Sequence, residues 1–418
     1  MPHSGRTQKE NTVRPAAKLR IAFITYKFGH QYGGAEAYGV ELVRELAKRH
    51  EITIIAYDYD PHCALVLPFI KISVSKRWPS WIRSFFFARQ SAKITAQGDF
   101  DLVHSQMNGW NGDLDVLHVR SVRYRWFTRV SRIKRWFNYL SPRIQMYCWL
   151  EKQRVHTKPP RRTIVVSEAL KNQLQQAYKT DYPFDVITPG VRLPLPDSKT
   201  KQQLRTELGI KPEDYLCLLV ARTPHRKGLP TLLKALSLLP KHIKVIAVGA
   251  TKQELPRLHG EAIAQGLQDR VIFVPQTTEV SPYYQMADLC VHPTLNDSFG
   301  MAPLEAMSHD LPVIMSNAHY CGFAQYVTHQ QEAWLLQDPT NPVELSQAIS
   351  KIATETELAQ GLQQRAQQLL PKFNWSNLAA QYEQIYADIL ADPLTGSSAT
   401  PHGPKGSMAK NSATKRSA

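Results

Sequence analysis

The chain has 418 residues, 43% of them apolar, and a formal net charge of +16. That length accommodates two domains with full cores, while no apolar run approaches the ~20 residues of a membrane-crossing helix, so a helical span is excluded. The charge demands an anionic partner, which leaves nucleic acid, an anionic membrane surface and a phosphorylated substrate as candidates.

Residues 1–18 and 392–418 are small, polar and without periodicity, and read as disordered tails; the first carries no apolar segment of the signal-peptide kind. Between them strands and helices alternate. Leu19 to Thr25 is predicted as a strand, Gly33-Gly34 as a loop, and Ala35 to Lys48 as a helix with Val40, Val43, Leu46 and Ala47 at helical spacing. Glu51 to Tyr57, Asp101 to His104, Asp115 to Val119 and Arg162 to Val166 are the next predicted strands. Ser167 is placed to cap a helix over Glu168 to Ala177. A strand over Phe184 to Thr188 closes this half.

Leu193-Pro-Leu-Pro-Asp197 is too rich in proline for an element interior and reads as a linker, assigned to residues 191–198. The alternation then restarts. Strands are predicted over Tyr215 to Ala221, Lys244 to Val248, Val271 to Val274, Leu289 to His292 and Pro312 to Met315. Helices are predicted over Leu229 to Leu239, Lys252 to Gln265, Val280 to Met286 and Ala302 to Ser308. Strands separated by helices imply parallel sheets, and hence an α/β protein of two doubly wound, Rossmann-like domains, 19–190 and 199–372. Such folds bind ligands at the carboxyl ends of their strands, so two of them facing each other make a cleft.

Three loops carry chemistry. In Tyr32-Gly33-Gly34-Ala-Glu36, the two glycines allow either a tight turn or a ligand lying close on the backbone amides. Arg222-Thr-Pro-His-Arg226-Lys227-Gly228 puts three cations on a strand-to-helix loop, fitted to neutralise a diphosphate or simply to be solvated. Asp297-Ser298-Phe299-Gly300-Met301-Ala302-Pro-Leu-Glu305 sets two carboxylates eight positions apart around a helix N-terminus. The free amides and dipole there suit a phosphate or sugar hydroxyls, and Pro303 sits where the lost N–H would be unpaired anyway. The pairs Asp58/Asp60, Asp99/Asp101 and Asp113/Asp115 look like D-x-D metal motifs, but each lies at a strand end where Asp caps a turn. The five cysteines (63, 148, 217, 290 and 321) are odd in number and scattered. They read as buried free thiols in a reducing compartment, with no clustered ligands for zinc; neither metal nor cofactor is expected.

In this order the three loops resemble the retaining glycosyltransferases of family four, with the GT-B fold. The resemblance runs from about Leu19 to Leu390. It includes Phe373-Asn-Trp-Ser376 and the helix after it (373–391), which in the family crosses back onto the first domain. Cys321-Gly-Phe-Ala-Gln-Tyr-Val327, Leu114-Asp-Val116 and Arg226-Lys-Gly228 look most like the lipopolysaccharide core glucosyltransferases. The resemblance implies that Glu305 binds the ribose hydroxyls of a nucleotide sugar and that amides around Phe299 to Ala302 hold the hexose and phosphates. Arg222 and Lys227 then stabilise the departing diphosphate. Asp297 stands where the family has Glu, His118 matches a histidine that touches the donor sugar, and Ser121 stands where the core subgroup carries an acid.

From Arg120 to Arg162 there are thirteen Lys/Arg and one acid, Glu151. Here and over Lys76 to Phe87, Arg alternates with Trp, Tyr and Phe. That mixture suits an anionic membrane interface, a phosphorylated or lipid-linked saccharide acceptor, or single-stranded nucleic acid; solvated helices over a core read alike. The expected enzyme is a transferase of a hexose, glucose from a UDP-sugar, acting without nucleic acid, peripheral on the cytoplasmic face of the inner membrane. The rival readings are a nucleotide-sugar epimerase of the same architecture and a nucleic-acid-binding protein.

Overall fold

A computed structural model describes residues 18–60, 63, 65–106, 109–128, 130–155, 158–194 and 200–392. Both expected tails, apart from Lys18 and Asp392, and residues 195–198 of the expected linker lie outside the described residues.

In chain order the strands are β1 (Arg20–Ile24), β2 (Lys27–Phe28), β3 (Glu51–Ala56), β4 (Asp58–Tyr59), β5 (Phe69–Lys71), β6 (Leu102–Ser105), β7 (Leu114–Leu117), β8 (Arg162–Val165) and β9 (Asp185–Val186), followed by β10 (Tyr215–Val220), β11 (Ile243–Ala250), β12 (Val271–Pro275), β13 (Leu289–His292), β14 (Val313–Ser316) and β15 (Trp334–Leu336). The first large sheet runs β5-β3-β1-β6-β7-β8-β9 and the second β12-β11-β10-β13-β14-β15; β2 and β4 form a small pair. The pairings within both large sheets are parallel. In each, the chain order reverses beside the first strand, at β1/β6 and at β10/β13, which opens a crevice at the strands' carboxyl ends.

Burial explains why these strands are apolar at nearly every position. Ile21 and Phe23 join one core while Ala22 and Ile24 join another on the opposite face. In β10, Cys217 and Leu219 face one core, Leu216 and Leu218 the other. Helices cover both faces, so alternation gives way to continuous hydrophobicity. The helix Trp375–Ala391 leaves the second half and buries Trp375, Leu378, Tyr382 and Tyr386 in the first half's core. There Tyr382 and Tyr38 share a 2.7 Å hydroxyl–hydroxyl hydrogen bond.

Some elements differ from expectation. The strand expected over Phe184 to Thr188 is only Asp185–Val186, at the sheet edge where β8 is its sole neighbour. The helix expected from Lys252 starts at Leu255, because the Glu254 carboxylate binds the Thr251 amide (3.0 Å) and hydroxyl (2.7 Å) in a turn before it. The basic stretch is helical, with a π-turn at Tyr124–Thr128 and helices Arg132–Leu140 and Pro142–Val155. Two of the three aspartate pairs do structural work. Asp99 and Asp101 bind Arg20, Asp113 accepts the Val103 amide at 2.8 Å, and Asp115 is buried against Arg161 at 3.0 Å.

Candidate functional site

A cavity of about 520 Å³ lies between the carboxyl ends of the two sheets. It is lined by Gly33, Gly34, His118, Arg222, Arg226, Lys227, Asp297, Ser298, Phe299, Gly300, Met301, Ala302 and Glu305. The structure thus brings residues of all three loops, with His118, to one cleft, of a size typical for a small-molecule ligand.

Close chain crossings explain the glycines. A Cβ at Gly228 (φ +88°) would lie 2.0 Å from the Pro293 carbonyl oxygen, and one at Gly300 (φ +112°) 2.5 Å from the Cys321 sulfur. Only glycine fits either place, so the cationic loop is pinned against the β13 exit and the start of the helix Met301–Ser308 against Cys321. A Cβ at Gly33 would meet Glu36 and, 2.9 Å away, the Arg222 guanidinium, whereas at Gly34 it would meet nothing within 4 Å. Arg222 reaches across the cleft to the carbonyls of Tyr32 and, at 3.3 Å, Gln31; Gln276 donates to the latter at 3.1 Å. Ser167, the helix cap, donates to the Ser298 carbonyl at 3.0 Å. These bonds join the two halves.

Lys227 and Asp297, assigned separately to phosphate and sugar in the sequence, form an ion pair, with side chains 14% and 19% exposed. His292 Nε2 donates to the same carboxylate oxygen at 3.1 Å. Burial opposes ionisation of Asp297, but the His292 hydrogen bond and the Lys227 charge outweigh it and hold the carboxyl far below the usual range. Glu305 is the converse: burial pushes it up, against the Tyr284 hydroxyl that donates to it at 2.8 Å. His309 stacks on Tyr284 with centroids 4.9 Å apart, and its Nδ1 bonds the Glu305 carbonyl at 2.8 Å. Phe299 turns its ring into the core beside Phe323, and its carbonyl accepts from the Cys321 thiol at 3.2 Å, so both are committed to the protein.

His118 is tied inward. The Gln106 amide donates to His118 Nε2 at 2.5 Å, His104 Nε2 donates to Gln106 Oε1 at 2.9 Å, and the Tyr386 hydroxyl donates to His104 Nδ1 at 2.6 Å. This direction of donation puts the His118 proton on Nδ1, the nitrogen with no partner among the described residues. Burial, with help from Arg154, pushes His118 down to about 3, so it is a neutral donor and not an acid. Tyr284, Gln106, His104 and Tyr386 escaped the sequence reading, having no motif to mark them.

The sequence showed no clustered metal ligands, and this needs correction. His292, Asp297 and Cys321 place three potential ligand atoms within 4.8 Å of one another. Lys227 already neutralises that carboxylate, and burial raises the Cys321 thiol far above its ordinary value. A cation there would have to displace an ammonium, so the cluster fits an ion pair better than a metal centre. All five cysteines are free and buried.

The family described as Glycosyltransferase Family 4 matches residues 32–194, and Glycosyl transferases group 1 matches 200–369. The chain is a glycosyltransferase of the family-four-like kind. This glycosyltransferase is 23% identical to the lipopolysaccharide glucosyltransferase WaaG of Escherichia coli (strain K12) over 361 residues, 81% of this chain and 90% of that one. The crystal structure of WaaG superposes with a TM-score of 0.75 at 19% identity, covering 89% of this chain and all of that one. HepE of Anabaena, solved with UDP and glucose, gives 0.72 at 18% identity over 88% and 99%. The fold shared with both is GT-B, as the sequence resemblance implied. No described helix is long and apolar enough to cross a membrane.

Proposed function

We propose that this glycosyltransferase moves glucose from UDP-glucose, with retention, to a lipid-linked saccharide of the lipopolysaccharide core, at the cytoplasmic face of a membrane. The observation that carries the reading is the 520 Å³ cavity, which gathers glycine amides, Arg222, Lys227 and the acid-flanked helix N-terminus between two parallel sheets. The similarity to an enzyme named for lipopolysaccharide glucosylation, and to a fold solved with UDP and glucose, favours this donor and this acceptor class.

In this reading Glu305, oriented by Tyr284, takes the ribose hydroxyls. The Gly33 and Gly34 amides and the first amides of the helix Met301–Ser308 hold phosphate and hexose oxygens, with Ser298 and Arg226 beside them. Lys227 and Arg222 stabilise the charge that grows on the departing diphosphate, the term expected to contribute most to rate. His118 donates Nδ1–H to the sugar. Asp297 is too acidic and too firmly held by Lys227 and His292 to serve as base or nucleophile, so it contacts a hexose hydroxyl. The acceptor then attacks the face the diphosphate leaves, and a phosphate oxygen takes its proton. Purified protein incubated with UDP-glucose and a core saccharide acceptor tests this directly. Transfer giving the α-anomer is expected, and transfer with inversion would overturn the mechanism.

The outer surface of the first half supports the membrane placement. In the helix Arg132–Leu140, Ile133, Trp136, Phe137, Tyr139 and Leu140 are exposed, while the polar Asn138 is buried and donates to the Trp126 carbonyl at 2.7 Å. Its aromatics and cations together suit an anionic interface.

A further inference from the structure

Beside the donor cavity lies a second one of about 390 Å³, sharing Asp297 and Ser298 with it. It is closed on one side by the turn bearing Arg120 and Tyr124, on another by the helix Glu168–Tyr178, and on the third by the loop through His319 and Gly322. A molecule placed here touches the same Asp297 that borders the donor site, so the two cavities meet at one point.

Two of its polar groups are left unused by the protein itself. Arg120 is half-buried and its Nε is shut off from solvent, yet among the described residues its guanidinium makes neither hydrogen bond nor ion pair. Three other partly buried arginines of the same basic stretch are paired. Arg123 donates to the Ala177 carbonyl at 2.9 Å, and Arg154 and Arg161 share Asp115. Burial disfavours the charge on Arg120, with Asp297 only partly offsetting it. Across the cavity Gln173 has a buried Oε1 that likewise lacks a partner. Unpaired buried groups of this kind are costly unless a ligand completes them. Asp297, the one carboxylate in the lining, is neutralised by Lys227 and so does not repel an anion.

We propose that this cavity is the acceptor subsite, and that Arg120 holds a phosphate or carboxylate on the acceptor saccharide while Gln173 Oε1 accepts one of its hydroxyls. The inference rests on the donor reading given above. The guanidinium fork matches either oxyanion bidentately, which fixes the orientation of the acceptor as well as its affinity. The enzyme would thereby select an acidic saccharide over its neutral counterpart.

The test titrates inorganic phosphate, glucose 6-phosphate and glucuronate into the full chain saturated with UDP, at constant ionic strength, and follows thermal unfolding. UDP fills the diphosphate site, so the remaining anion site is read alone. Wild type and Lys241→Gln, an exposed control, should be stabilised alike. Arg120→Gln should bind the anions roughly 10- to 100-fold more weakly, with Arg120→Lys between them. The response to glucose 6-phosphate against glucuronate decides between phosphate and carboxylate. Undiminished stabilisation of Arg120→Gln, or an equal loss in Lys241→Gln, overturns the subsite. Failure of UDP to bind wild type would instead sink the donor reading, and the Arg120→Gln comparison on unliganded protein would still decide this one.

Discussion

The second half's edge of the cleft and the outer face of the first half use charge in opposite ways. At the cleft the two acids are matched: Asp297 with Lys227 and His292, Glu305 with Tyr284. On the helix Arg132–Leu140 cations and aromatics stand in solvent, and the buried side chain is an asparagine. Matched groups are pre-oriented and cost nothing to reorganise when charge develops, which is what stabilising a leaving diphosphate requires. Unmatched groups on a surface await a partner large enough to cover them.

The sharpest way to break that contrast is at the ion pair. Lys227→Ala is expected to lower kcat by about 10²-fold or more, on the scale of losing an oxyanion donor. It also leaves Asp297 without its counter-charge, so the variant should lose about 1–3 kcal/mol of stability as well, measured by urea unfolding. The stability of the pair has a pH signature. Asp297 is depressed in the fold, so its contribution is present above the unfolded aspartate value of about 3.9 and fades as pH falls below it. A folded Lys227→Ala variant with normal turnover would remove the ammonium from the mechanism.

Glu305→Ala comes next. Removing a charge-assisted acceptor should weaken UDP binding by about 1.5–3 kcal/mol, read by calorimetry. Tyr284→Phe should cost about 0.5–1.5 kcal/mol of the same affinity, because it frees the carboxylate from its orienting bond. Asp297→Glu should leave UDP affinity alone and change the rate or the sugar preferred. A loss confined to acceptor affinity in Glu305→Ala would put this residue on the wrong substrate.

How much of this was legible in the sequence depended on the range of the interaction. The strands announced themselves because both sheet faces are buried, and the loops because Gly33, Gly228 and Gly300 sit where chains cross closely. Tyr284 could not be found that way: it meets Glu305 from 21 positions away, and Tyr386 meets His104 from 282. No local pattern encodes such partners. The pairing of Lys227 with Asp297 was hidden for the same reason, although each residue had been named. The helix Arg132–Leu140 is a different case. Its sequence mixes aromatics and cations, but both stand exposed and Asn138 alone is buried, which periodicity does not reveal.

His118 offers a smaller, pH-dependent test of the cleft. Burial lowers it to about 3 and His104 to about 4, against an unfolded value near 6.5. A lowered pKa means that the unfolded chain binds more protons between these values, so stability is full above about pH 6.5 and falls as pH drops toward 3. Each histidine should contribute a slope of about 1.4 kcal/mol per pH unit in that window. Replacing His118 with Asn should remove its share of the slope between pH 5 and 6.5, while ¹⁵N spectra of wild type should show the ring neutral and protonated on Nδ1. Protonation on Nε2 would reverse the hydrogen-bonded chain through Gln106 and cancel the donor role.

The smallest effect per residue lies on the outer face, and the structure changes which residues carry it. Arg123, within the basic stretch, is committed inward: it donates to the Ala177 carbonyl and lies over the Phe127 and Tyr178 rings, 6.0 and 5.4 Å from their centroids. Arg132, Lys134 and Arg135 are exposed beside Trp136 and Phe137. Each cation near an anionic leaflet contributes about 1 kcal/mol, and attachment must be peripheral. Arg132→Ser and Arg135→Ser should therefore each weaken binding to vesicles rich in phosphatidylglycerol by about that amount, with release as salt rises. Trp136→Ala should weaken it at any salt concentration, because its loss is of apolar area. UDP affinity should stay unchanged in all three, since this helix is not part of the cleft lining. Equal binding of wild type to neutral and anionic vesicles would assign these cations to the fold, and the contrast between the matched cleft and the open surface would lose its functional meaning.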